Sequence, residues 1–209
     1  MHSEKLHEPR RLQKLVWAGT TVALALSCIR PPFPDDQALQ HVPTVVALIG
    51  LAVAIRKRWL SNRAYLLFSA FLALHILGAR YVYTTLPYDA WSRSLFDWSP
   101  QEAFGFERNH YDRFVHFSFG VLSILFFDEI LRRRLPTRLQ RVLFGILFVG
   151  AISALYEVVE WGLSLTATPA MAHRYNGQQG DFWDAQKDMA LAFLGSVLAL
   201  PAVFLRSRG

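Results

Sequence analysis

The chain has 209 residues; 53% are hydrophobic and only 18% charged, below the roughly 25% charged of a soluble domain. Its apolar residues, 16 Phe and 6 Trp among them, are bunched into long runs, which favours a small integral membrane protein over a soluble one. The excess of 22 Lys and Arg over 16 Asp and Glu would suit nucleic acid, but its placement follows membrane topology instead, and the single cysteine, Cys28, excludes an internal disulfide or a cysteine metal cage.

Six transmembrane helices are predicted, over residues 15–29, 39–55, 64–83, 111–131, 139–161 and 186–205. Lys5, Arg10, Arg11 and Lys14 precede the first run as in a signal peptide. No small-x-small cleavage site followed by a soluble domain is evident, so the run is read as a retained helix with Cys28 a spectator at its end. The second, with Pro43 near its start, is the weakest span. Pro201 is expected to bend the last.

Basic residues set the expected orientation. The N-terminal tail, the connection with Arg56, Lys57, Arg58 and Arg63, the connection with Arg132, Arg133, Arg134, Arg138 and Arg141, and the end with Arg206 and Arg208 hold 15 of the 22. The alternate connections share seven. The positive-inside rule therefore puts both termini in the cytoplasm. The fold class is an all-α polytopic bundle, one membrane domain over residues 1–209, with external loops at 84–110 and 162–185. Trp91, Phe96, Trp98, Phe104 and Phe106 in the first loop fit an interfacial belt or an amphipathic segment on the membrane. The basic connections need only anionic headgroups as partners, and no nucleic acid.

Seven acidic or imidazole side chains lie in or at the end of these runs, all toward the external side: His75, Asp112, His116, Glu157, Glu160, Asp184 and Asp188, with Asp181 just outside. A carboxylate in hydrocarbon costs about 2.5–3.5 kcal/mol on insertion scales, so the cluster needs a cation, a counterion or a polar cavity. Asp112 and His116 are four apart and share a helix face; Glu157 and Glu160 are three apart and share another. Asp181, Asp184 and Asp188 form one stripe if the last helix begins early. A divalent metal held by His75, Asp112, His116 and Glu157 or Glu160 is the sharpest reading. Carboxylates suit Mg, Ca or Mn, and the imidazoles shift the balance toward Zn or Fe. Asp184 and Asp188 would complete the set or orient it, and a nearby Glu such as Glu160 would act as general base on bound water.

Two other readings stay open. Arg80, Arg108, Arg113, Arg174 and Lys187 share that side, so acid–base pairs would hold helices together without chemistry. A proton or cation path would use the same carboxylates. Asp112, Asp181 or Asp184 would alternatively cap their helices. His41 and His173 read as loop residues, His110 as ligand or surface group, and Asp128 and Glu129 as local partners of nearby arginines. No Walker loop, dinucleotide fingerprint, GxSxG elbow or HExxH motif occurs, and Gly177-Gln178-Gln179-Gly180 reads as a tight turn.

Residues 109–117 (Asn-His-Tyr-Asp-Arg-Phe-Val-His-Phe), 156–161 (Tyr-Glu-Val-Val-Glu-Trp), 179–189 and 75–81 together resemble the YjdF-like family of bacterial inner-membrane proteins. The acids near helix ends are more distantly similar to VanZ-like membrane proteins. The first resemblance implies a multi-span protein of the bacterial inner membrane and supplies no reaction. From the residues, the expected activity is a metal-dependent hydrolase or transferase on a lipid-like substrate. The alternatives are cation or proton transport or sensing, or a structural salt-bridge network.

Overall fold

The computed structural model describes residues 10–132 and 134–205. Lys5, Arg133, Arg206 and Arg208, used above for orientation, lie outside the described residues. The described chain is helical, with no strand. In order it forms α1 (Arg11–Ser27), α2 (Pro34–Lys57), α3 (Asn62–Arg80), α4 (Tyr88–Phe96), α5 (Pro100–Phe104), α6 (Tyr111–Leu131), α7 (Arg138–Thr166), α8 (Pro169–Asn176), α9 (Asp184–Leu198) and α10 (Leu200–Phe204). Five helices are long and apolar enough to cross a bilayer: α2, α3, α6, α7 and the α9–α10 pair. The 17-residue α1 lies at the short end of the spanning range. The predicted all-helical polytopic bundle is therefore the architecture, with five spanning helices among the described residues and α1 at the short limit for a sixth.

Local sequence explains the helix ends. The Ser61 hydroxyl accepts from the Ala64 amide to start α3, and Thr137 with Gln140 forms a reciprocal capping box at the start of α7. α2, expected to be the weakest span, is instead 24 residues long. Pro34 opens it, Asp35 and Asp36 complement the dipole of its first turn, and Arg56 and Lys57 that of its last. Pro43 is accommodated inside it. Pro201 cannot donate a bond into the preceding turn, and the last span breaks at Ala199. α7 extends to Thr166, so the predicted loop 162–185 begins as helix and then holds α8.

His41 is corrected from loop to helix. It is buried in α2, with Nε2 3.0 Å from the Ser27 hydroxyl and Nδ1 3.3 Å from that of Thr44. His173 likewise lies in α8 rather than in a loop.

Two glycines set the spacing of the bundle. A Cβ on Gly120 would sit 1.9 Å from the Ala192 carbonyl oxygen, and one on Gly195 2.1 Å from that of Phe117. Bare backbone thus lets α6 and α9 run side by side at close range, a common device where no hydrophobic effect drives helices together. α7 packs antiparallel against both, with Gly145 over Ile124 and Gly150 over Phe193. α3 covers the other side of α6, and α1 and α2 pack on α3. At one end Gln13 donates to the Leu60 carbonyl, Ser61 to Glu129, and Arg138 to the Phe204 carbonyl. Both ends of the described chain therefore lie together. Asp128 is buried at this end between Arg141 (2.8 Å) and Arg132 (3.1 Å), the local pairing expected of it.

Candidate functional site: an acidic cluster at the far end of the bundle

The opposite end gathers the predicted acids. Asp112 opens α6 without capping it: the N-cap is His110, and the Tyr111 amide instead donates to the side-chain oxygen of Asn109 at 3.0 Å. One turn on, His116 Nε2 lies 3.6 Å from Asp112 Oδ1 and 3.9 Å from Glu157 Oε1 of α7. The α6–α9 contact brings Asp188 to the same point. Ligand atoms of Asp112, His116 and Asp188 all lie within 4.8 Å of one another, which is metal-ligand spacing. Asp112 is 7% exposed and Asp188 2%. Glu157 Oε1 and Asp188 Oδ1 are buried and accept no hydrogen bond from any described group. Orphaned carboxylate oxygens are costly in a low-dielectric interior, so this arrangement calls for a positive partner.

Glu160 is buried one turn beyond Glu157, among phenols. Burial first, and then the charge of Asp112, holds the Tyr83 phenol well above its ordinary range. Burial and then Glu160 push Tyr175 up to about 12. Both stay protonated at neutral pH, and the Tyr83 hydroxyl donates to His75 Nδ1.

The remaining predicted residues are placed elsewhere. Asp184 sits in an arginine rim, 2.5 Å from Arg108 and 3.3 Å from Arg113. Arg113 also contacts Asp181, which pairs with Lys187 at 2.6 Å. The Lys187 hydrogen bond does most to hold the Asp181 carboxyl down at about 2. Asp181 Oδ1 also accepts from the Trp183 amide, securing the turn into α9. His75 is engaged at both nitrogens, with the Tyr83 hydroxyl at Nδ1 and the Gln40 carbonyl 2.9 Å from Nε2. His110 stacks on Phe106 with centroids 4.0 Å apart, and burial, then Arg113 and Arg108, lower its pKa.

Sequence reading missed the roof. Gly177 caps α8 at φ +64°, and a Cβ there would come 3.3 Å from Asp112 Oδ2. Arg108 donates to the Gly177 and Gln178 carbonyls at 3.0 Å each, and Gln179 bonds the Asn109 backbone in both directions. The Gly177–Gly180 turn is thus clamped over the cluster. Arg174 of α8 reaches across to the buried Asp36 of α2 at 2.8 Å.

Beneath the cluster lies a cavity of about 300 Å³. Its polar end is Asp112, His116, His75, Tyr83 and Tyr156; deeper in, Ala47, Phe68, Phe71, Leu72 and Phe119 make it apolar. Ser153, 2% exposed with its hydroxyl unpartnered, lies between the two zones.

A bundle of apolar helices enclosing a charged cluster defines a multi-pass membrane protein with an internal polar site. The chain belongs to the family described as "Predicted membrane protein (DUF2238)", whose model matches residues 12–209. It is 34% identical over 162 residues to "Inner membrane protein YjdF" of Escherichia coli (strain K12), covering 76% of this chain and 73% of that one. Family and relative bear out the YjdF-like resemblance and place the chain in the bacterial inner membrane. No solved structure matches.

Proposed function

We propose that Asp112, His116 and Asp188 hold a divalent cation, with Glu157 beside it, and that the site hydrolyses or transfers a polar group of a lipid-like substrate. The observation that carries the reading is the pair of buried, unpartnered carboxylate oxygens, on Glu157 and Asp188, around one imidazole. A cation relieves both. Two or three carboxylates with one imidazole suit Mg, Mn or Zn. Glu157 is the better base than the predicted Glu160 or Asp184, because it faces His116 directly while Asp184 is neutralised by two guanidiniums.

In a hydrolysis, a cation held by Asp112, His116 and Asp188 would supply an activated water, and Glu157 would take the proton that this water loses as it attacks the phosphorus or carbonyl carbon. The bond to the leaving oxygen breaks, and that oxygen is protonated in turn. The apolar depth of the cavity supports a lipid substrate over ion conduction, since no polar lining continues past Ser153. The concentration of basic residues at the opposite end supports an outward-facing site.

The test is elemental mass spectrometry of the detergent-purified protein, before and after chelation. About one divalent ion per chain is expected, and its loss in His116→Ala and Asp188→Asn, both still helical and monodisperse. A metal-free wild type, purified with divalent ions retained, would sink the reading.

A further inference from the structure

The cavity has four helical walls, α2, α3, α6 and α7, and one seam between them that is not closed. α2 packs on α3, α3 on α6 and α6 on α7, but the Cα atoms of α2 and α7 nowhere come within 8 Å of each other, although both line the cavity. Only α8 joins them, at the cluster end. It packs on both, with Arg174 on Asp36 of α2 and Asn176 donating to Ser164 of α7 at 2.8 Å. The gap is edged by Pro43, Thr44 and Ala47 on one side and by Ile152, Ser153 and Tyr156 on the other. Both edges lie within spanning helices, so the gap opens into the hydrocarbon layer rather than into water.

We infer that this gap is a lateral portal through which the single apolar chain of a membrane amphiphile enters from the bilayer, lying in the cavity with its head at Asp112 and His116. Three observations select that occupant. The gap lies between two helices long and apolar enough to span a bilayer, so acyl chains would surround it. The cavity has an almost wholly apolar wall, as an acyl chain requires, with Asp112 and His116 among the residues that line one end. Its volume, about 300 Å³, is at the bottom of the ~300–1,000 Å³ range of ligand pockets and leaves room for one chain rather than two. The α8 roof explains the sideways route: Arg174–Asp36 and the clamped Gly177 turn close the cavity toward the aqueous phase.

The inference names the substrate class of the proposed site and rests on that reading only for the chemistry at the polar end. The test is photolabelling in nanodiscs with a long-chain fatty acid carrying a diazirine at its chain end, alongside a two-chain phospholipid carrying the same group, with adducts mapped by peptide mass spectrometry. The single-chain probe is expected to label the segments around Phe68–Leu72 and Phe119. That label is expected to be lost in Ala47→Trp and, independently, in Ile152→Trp on the opposite edge, with metal content unchanged. Label confined to outward-facing positions such as Val46, Leu147 and Leu155, and indifferent to both variants, overturns the portal; so does equal cavity labelling by the two-chain probe, or a second copy of the chain found cross-linked across the gap. Metal retained without cavity label sinks the portal alone. Cavity label without metal leaves the portal and sinks the metal reading.

Discussion

Acidic side chains at the two ends of this bundle meet opposite fates. Asp128 is buried with a full complement of guanidinium donors, whereas Asp188 and Glu157 are buried with oxygens that accept nothing. The first is a structural solution to burying a charge, the second the ground on which the cation site is proposed. The difference yields a stability prediction. Arg141 is 5% exposed at its side chain against Asp128, so Asp128→Ala leaves a buried guanidinium with only the Leu135 and Pro136 carbonyls and no countercharge, and is expected to cost about 3 kcal/mol. Arg132→Ala removes a partner that is 34% exposed and is expected to cost at most about 1 kcal/mol. Thermal unfolding in detergent compares the two, and equal effects would show that the Asp128–Arg141 contact is not the one that matters. Which residues are charged within apolar runs was legible in the sequence. How they divide was not: Arg108 takes Asp184 out of the cluster from a loop 76 positions away, and His75 is diverted by Tyr83 and Gln40. Helical periodicity carries no information about such partners.

Helix existence and order were legible because hydropathy and capping are local. Boundaries were less so: α2 begins at Pro34, five residues before the predicted start at 39, and α7 runs to Thr166, five beyond its predicted end, while Pro201 breaks the last span as expected. The underread element was α2, where Pro43 suggested weakness; in a bundle, neighbouring helices absorb the lost bond. The site itself depends on α6 and α9 meeting through backbone, which no residue in isolation announces. Gly120→Ala drives a methyl against the Ala192 carbonyl and is expected to cost about 1–3 kcal/mol as the helices part. It is also expected to weaken metal retention, because Asp112 and His116 ride on α6 and Asp188 on α9. Gly50→Ala, which meets nothing within 4 Å, is the control and is expected to be neutral or to stabilise by about 0.5–1 kcal/mol. Comparing melting temperature and metal content across the three proteins checks this. A Gly120→Ala protein as stable and metal-loaded as the wild type would mean that the α6–α9 distance does not set the site.

At the scale of the molecule, function depends on which side of the membrane the acidic end faces. The bundle puts the described basic connections at one end and the carboxylates at the other, and the positive-inside rule predicts that the basic end faces the cytoplasm. The chain carries its own reporter. Cys28 is its one cysteine, exposed, and caps α1 beside the carbonyls of Ser27 and Ile29 that Arg80 holds, at the acidic end. A membrane-impermeant maleimide is therefore expected to label Cys28 in intact spheroplasts. In a Cys28→Ser background, Arg134→Cys at the basic end is expected to react only after lysis. The reverse pattern would turn the acidic cluster toward the cytoplasm and overturn the outward reading, while leaving its ligand geometry and the portal between α2 and α7 intact, since neither depends on orientation. The external leaflet would then no longer supply the headgroup, and the amphiphile would have to be sought among lipids displayed on the cytoplasmic face.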